Sequence, residues 1–171
     1  MQYVDVKVHA NVATILMDRP KTRNALNPQL IEDLTTAFSD VYQEKRVAAV
    51  VLTASGEHFC SGIDLKVLSE IAQMPEDLAL PEWLAAWRAL TELYESMLRF
   101  PKPIVAAVDG GALGAGMALL RRGSARPGGA CIAGRYAGAG ARSDCTAAAC
   151  STEDGARTLQ PNDPPGLDPQ P

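Results

Sequence analysis

The sequence predicts an α/β domain in which strands feed helices through glycine loops. Three observations carry that reading. Short apolar runs of strand length, "YVDVKVH", "VATILMD", "VAAVVLTA" and "IVAAV", recur between Tyr3 and Val108. Longer stretches with apolar residues at helical spacing lie between them. Glycine-bearing loops, in "GEHFCSGIDLK" and "DGGALGAG", stand at two strand-to-helix junctions. The predicted order is β-β-α-β-α-α-β-α.

In the first run Val4, Val6 and Val8 alternate with other residues and share one face of a strand. The turn residues Ala10-Asn11 separate it from Val12–Asp18, so the two are expected to pair as a hairpin. "RPKTRNALN", Arg19–Asn27, is a polar loop. Asn27 is placed to cap a helix, with Pro28 at the first helical position, where a missing N–H costs nothing. Leu30, Ile31, Leu34, Phe38, Val41 and Tyr42 then recur at helical spacing and predict one buried face. Val47–Ala54 is continuously apolar, as in a strand covered on both faces. Gly56–Lys66 is a loop that turns into a helix. A longer helix is expected from Pro81 to Arg99, with Leu84, Trp87, Thr91, Tyr94 and Leu98 as its inner stripe. "PKP", Pro101–Pro103, ends it, because proline disfavours helix at the residue before it. Ile104–Val108 is another buried strand, and the second glycine loop leads into a helix beginning near Gly114.

The chain has 171 residues, enough for one domain with a real core. Its 47% hydrophobic and 21% charged content is that of a globular protein. A net charge of -4 argues against nucleic-acid or anionic-membrane partners. No apolar run approaches the ~20 residues of a membrane helix. The N-terminal residues lack a basic region followed by an apolar core, so a cytoplasmic location is expected. The four cysteines, Cys60, Cys131, Cys145 and Cys150, form no CxxC pair, and no histidine follows Leu120. No metal site is expected, and the cysteines read as free thiols.

Composition changes at Leu120. Residues 1–120 hold 10 Lys+Arg and 15 Asp+Glu, with apolar periodicity throughout. Residues 121–171 hold 10 Ala, 8 Gly, 6 Pro and 6 Arg, and no Lys, Val, Phe, Met or Trp. Only Ile132, Tyr136, Leu159 and Leu167 are available there to anchor a core, too few to offset the ordering entropy of the segment. The expected division is therefore a folded unit over 1–120 and a low-complexity, disordered tail over 121–171. Alanine, glycine, proline and arginine are also what GC-rich codons yield out of frame, so the tail has two readings, a frameshift product and a genuine low-complexity tail.

The two glycine loops share a design. Each follows a buried strand and opens a helix, whose first N–H groups are free to meet negative charge. Glycine lets backbone approach a ligand closely. Two such loops on neighbouring strands aim two N–H donors at one oxygen. That is an oxyanion hole, where each donor is worth about 3–4 kcal/mol of transition-state stabilisation.

"RPKTRNALN", "GEHFCSGIDLK" and "FPKPIVAAVDGGALGAG", in that order and spacing, resemble the crotonase, or enoyl-CoA hydratase/isomerase, superfamily. The resemblance implies a repeated β-β-α core that binds coenzyme A thioesters, the thioester being substrate, with no further cofactor. It implies an oxyanion hole from the backbone N–H groups of Ile63 and Ala115, within loops carrying Gly62 and Gly114. It places acyl-CoA contacts at Asp64, Leu65 and Lys66, and lines the CoA path with Arg23, Asn24, Ala25 and Leu26. Arg23 or Lys66 would meet CoA phosphates; a solvated surface charge is the other reading of each. Members of the superfamily assemble as trimers or hexamers through C-terminal helices, which this chain is expected to lack.

The same resemblance exposes a gap. Enoyl-CoA hydratases use two glutamates as general acid and base. The first falls at Ala118, which cannot carry a proton. The second falls in the tail, where Asp144, Glu153, Asp154, Asp163 and Asp168 are the acids available, none in a recognisable context. No catalytic carboxylate is assigned, and the chain is expected to be catalytically impaired. Asp64 and Asp109 are read as caps that orient the loops. His58 and Cys60 lack a third orienting group for nucleophilic catalysis, and Ser61 lacks the G-x-S-x-G context. Relatives without the first glutamate run isomerase, dehalogenase or decarboxylase chemistry, although the dienoyl-CoA isomerase branch needs an aspartate where Ala118 stands. Two other classes remain open: a non-catalytic remnant or interaction protein, and a dinucleotide-binding domain. The latter lacks G-x-G-x-x-G, the glycines being Gly110, Gly111, Gly114 and Gly116.

Overall fold

A computed structural model of the chain describes residues 1–123 and 132–133. In chain order the elements are β1 (Val4–His9), β2 (Val12–Met17), a 3-10 turn (Pro20–Thr22), α1 (Pro28–Gln43), β3 (Ala49–Ala54), β4 (His58–Cys60), α2 (Leu65–Ala72), α3 (Glu76–Leu98), β5 (Ile104–Ala107), β6 (Gly111–Ala112), α4 (Ala115–Gly123) and β7 (Ile132–Ala133). β1 and β2 form the expected antiparallel hairpin, from Val4 opposite Met17 to His9 opposite Val12. β3, β5 and β7 extend it by parallel pairing into a sheet of order β1-β2-β3-β5-β7. The shared face of β1 is graded rather than uniform: Val4 is buried and Val8 is 45% exposed. β1 is an edge strand, and α1 anchors its start, where the Asp33 carboxylate accepts the backbone amides of Gln2 and Tyr3 at 2.7 Å each.

α1 forms as its sequence directs. The Asn27 side chain accepts the Leu30 amide at 2.9 Å, and Pro28 occupies the first position. Leu30, Ile31, Leu34, Phe38 and Val41 are buried. Tyr42, expected inside, is exposed, because Val41 takes the inward place; its ring meets Phe100 edge-on at 6.3 Å. β3 starts at Ala49 rather than Val47, since the Val47 amide is turned to the Glu44 carbonyl and that of Ala48 to Asn11. Val50 and Leu52 are sealed while Val51 is half-buried, so among the described residues one face of β3 is covered more fully than the other.

α3 departs furthest from expectation. It begins at Glu76, with Pro81 inside it. Pro81 forfeits the bond to the Asp77 carbonyl, and Glu76 and Asp77 complement the positive end of the helix. The buried stripe is Leu90, Leu93 and Met97; Leu84 and Trp87 are 52% and 61% exposed, and Thr91, Tyr94 and Leu98 are half-buried. Two adjacent faces of α3 are apolar, and packing against α1 selects the one with Leu90, Leu93 and Met97.

β4 and β6 pair in parallel as a separate two-stranded sheet. α4 continues past residue 120 to Gly123, and β7 pairs with β5. The other residues of the expected tail, with its five acids, its disorder and its frameshift reading, lie outside the described residues. Among the described residues no helix is long and apolar enough to cross a membrane.

Candidate oxyanion site

Parallel pairing of β4 with β6 brings the loops that follow them side by side, because neighbouring parallel strands end at the same edge. The Leu113 amide donates to the Cys60 carbonyl at 2.9 Å, fastening one loop to the other. Glycine makes the approach possible at two points. Gly62 has φ +97°, and a methyl group there would lie 3.0 Å from the Leu113 oxygen and 3.5 Å from the Ala115 nitrogen. A Cβ on Gly116 would come within 2.6 Å of the Cys60 oxygen, so α4 starts flush against β4 only with glycine there.

Two backbone amides are left over by this construction. Leu26 forms a parallel bridge to Ile63, donating to the Gly62 carbonyl at 2.8 Å and accepting from the Asp64 amide at 2.9 Å. In parallel pairing those two bonds flank the bridged residue, whose own N–H faces the other side. The Ile63 N–H is thus turned away from Leu26. Ala115 is the first residue of α4, whose opening N–H groups have no intrahelical acceptor. Among the described residues neither amide has a hydrogen-bond acceptor. The Tyr94 hydroxyl of α3 donates to the Ala115 carbonyl at 2.8 Å.

The predicted contact residues differ in backbone conformation, burial and hydrogen bonding. Arg23 and Asn24 both adopt left-handed backbone, at φ +54° and +52°. Asn24 is fully buried, and its side chain is spent inside the protein: Oδ1 accepts the Arg19 amide, and Nδ2 donates to the Ser55 and His58 carbonyls. Ala25 and Leu26 are buried, whereas Arg23, Leu65 and Lys66 face solvent. Lys66 stands 3.9 Å from Glu70. Gly114 adopts φ +50° with open space around it. Asp64 caps α2 through the Lys66 amide at 3.0 Å, as expected. Asp109 is corrected: it is exposed and makes no hydrogen bond to the loop among the described residues.

Cys60 is buried, and burial pushes its thiol up to about 11, against a smaller opposing effect of the Gly62 amide. A neutral, sealed thiol is a poor nucleophile. Ala118 is half-buried in α4 and brings no titratable group. Among the described residues no group of three His, Cys, Asp or Glu is placed to hold a metal ion.

Sequence reasoning missed three parts of the site. An apolar cleft of about 340 Å³ lies between α1, α2 and α3, reached by Leu26 and Ile63 and walled by Ile31, Ile71, Trp87 and Leu90. Tyr94 reaches Ala115 from the half-buried face of α3. Arg19 forms a largely buried ion pair with Asp64 at 2.8 Å.

The fold is of crotonase type, and comparison with known proteins agrees. The enoyl-CoA hydratase/isomerase family model matches residues 7–121. The probable enoyl-CoA hydratase echA6 of Mycobacterium tuberculosis is 39% identical over 108 residues, 63% of this chain and 39% of that protein. The rat mitochondrial Delta(3,5)-Delta(2,4)-dienoyl-CoA isomerase is 34% identical over 116 residues, 64% of this chain and 35% of that protein. Among solved structures, the enoyl-CoA hydratase of Bacillus anthracis superposes with a TM-score of 0.62 at 31% identity, over 71% of this chain and 45% of that one. The chain belongs to the enoyl-CoA hydratase/isomerase family. It spans about two fifths of the length of the curated relatives it matches. The match ends at residue 121, where the composition changes. Family membership removes the dinucleotide-binding alternative.

Proposed function

We propose that residues 1–120 form an acyl-CoA-binding unit whose backbone amides at Ile63 and Ala115 hold a thioester oxygen. The observation that carries this reading is the pair of acceptor-less amides on abutting loops, with Gly62 leaving room beside the Ala115 nitrogen. Two donors converging on one oxygen stabilise the charge that develops when a thioester enolises or is attacked. The apolar cleft beside Ile63 suits the hydrocarbon part of the acyl group, since burying it there removes both surfaces from water. Arg23 and Lys66 are exposed cations in or next to the two loops and are assigned to the CoA phosphates.

Ala118 supports a second element of the proposal: this chain binds the thioester without hydrating it. Hydration needs a positioned acid and base, and position 118 offers a methyl group. The experiment is titration of the purified chain with crotonyl-CoA in a calorimeter, alongside an assay following loss of the enoyl-thioester absorbance. Saturable binding without turnover is expected. Absence of binding overturns the site, and clear hydration overturns the reading of Ala118.

A further inference from the structure

We infer that Arg19 is a positioning residue: its guanidinium sets the direction of the Ile63 amide by stapling the two backbone segments that form the Leu26–Ile63 bridge. The inference rests on the oxyanion reading above. Arg19 Nη1 donates to the Ala25 carbonyl at 2.7 Å and to Asp64 Oδ2 at 2.8 Å. Ala25 immediately precedes Leu26, and Asp64 immediately follows Ile63. One nitrogen, with its two hydrogens, therefore holds both strands of the bridge next to the residue whose N–H faces the site.

The staple is rigid on its own side. The Arg19 amide is held by Asn24 Oδ1 at 2.8 Å, and the Asn24 amide returns to the Arg19 carbonyl at 3.0 Å. The guanidinium lies 5.2 Å from the Tyr3 ring centroid, fixing it from the start of β1. Arg19 and Asp64 side chains are 15% and 14% exposed, so the pair is largely removed from water. An ion pair in such a place is weak support for stability, because desolvation offsets much of its attraction, whereas breaking it strands a charge. What it does supply is geometry: a planar donor fork with little freedom. Asp64 is bound at both oxygens, since Oδ1 accepts the Lys66 amide while Oδ2 faces Arg19. Its carboxylate thereby couples the start of α2 to the orientation of the Ile63 peptide.

The test uses hexa-2,4-dienoyl-CoA, a conjugated thioester whose absorption moves to longer wavelength when its carbonyl is polarised by hydrogen-bond donors. Difference spectra are recorded at saturation for the full chain and for Arg19→Met, Arg19→Lys and Asp64→Asn, with circular dichroism reporting the folded fraction. The parent is expected to show the red shift. Arg19→Met and Asp64→Asn are expected to lose most of it while still binding, with affinity about tenfold weaker, as for loss of a charge-assisted hydrogen bond. Arg19→Lys, which keeps the charge, is expected to recover part of it. A merely structural arginine lowers the folded fraction but leaves the shift of the bound ligand unchanged. An undiminished shift in Arg19→Met therefore overturns the inference while the oxyanion reading stands. Should Arg19 variants fail to fold, near-isosteric Asp64→Asn decides by the same criterion. A parent that binds without any shift, or does not bind, overturns the oxyanion reading and this inference with it.

Discussion

The hydroxyl of Tyr94 donates a hydrogen bond to the carbonyl of Ala115 at 2.8 Å, tying α3 to the first residue of α4. The second glycine loop is thus held on the helix side at the Ala115 carbonyl and on the strand side by the Leu113 bond to Cys60. Tyr94→Phe keeps the ring and removes the donor. It is expected to cost about 0.5–1.5 kcal/mol of stability and to weaken thioester binding by loosening the Ala115 end of the site. Urea unfolding checks the first effect, and calorimetric titration with crotonyl-CoA the second.

Gly62 is a point of close approach between the two loops. With φ +97°, a side chain there is strained at about 1–3 kcal/mol, before its contact 3.0 Å from the Leu113 oxygen. Gly62→Ala is expected to lower stability by that amount and to depress binding. The bulkier Gly62→Val is expected to abolish binding. Comparing Kd values for both variants with their unfolding curves separates the two effects; unchanged affinity in Gly62→Val removes Gly62 from the site.

The Cys60 thiol carries a pH signature. Its folded value is raised to about 11 from 9.0, chiefly by burial. It is neutral in both states below pH 9, so its contribution to stability is fully present there. Above pH 9 the unfolded chain gains by ionising first, and stability falls as pH rises towards 11. Cys60→Ala is expected to flatten this limb, measured by urea unfolding between pH 8 and pH 11. At neutral pH, iodoacetamide followed by peptide mapping is expected to leave Cys60 unmodified until the protein is unfolded.

Asp33 governs the opposite limb. Burial raises its carboxyl, but the Tyr3 amide, the Gln29 side chain and the Gln2 amide outweigh that, so it lies below the ordinary 3.8. A depressed folded value gives stability that is present above the unfolded value and lost as pH falls through the folded one. Asp33→Asn is expected to destabilise the chain at neutral pH by about 1–3 kcal/mol and to remove this part of its acid sensitivity. Thermal unfolding from pH 7 down to pH 3 reads both.

Features set by near neighbours were legible in the sequence. The β1–β2 hairpin, the Asn27 cap with Pro28, and α4 opening behind Gly114 each depend on residues within a turn of one another. The face of α3 was not legible, because both of its apolar stripes satisfy helical periodicity and only contact with α1 chooses between them. β4 and β6 are too short to show any period; they exist because their edges pair across 50 residues of chain. The site divides in the same way. Glycine spacing marked both loops, but the Arg19–Asp64 pair joins residues 45 apart, and neither carries a local sign of the other. The side chain of Asn24 joins the Arg19 amide to the Ser55 and His58 carbonyls, more than 30 residues away, and nothing near Asn24 in the sequence marks those partners.

The proposed grip of the Ile63 and Ala115 amides on a thioester carbonyl oxygen has a simple chemical control. It is tested most directly by measuring, in one calorimetric series, the Kd of butyryl-CoA and of its S-butyl thioether analogue, which differs only in replacing the carbonyl by a methylene. The thioester is expected to bind about tenfold or more tightly, as two hydrogen bonds to one oxygen require. Equal affinities for the two compounds would contradict it.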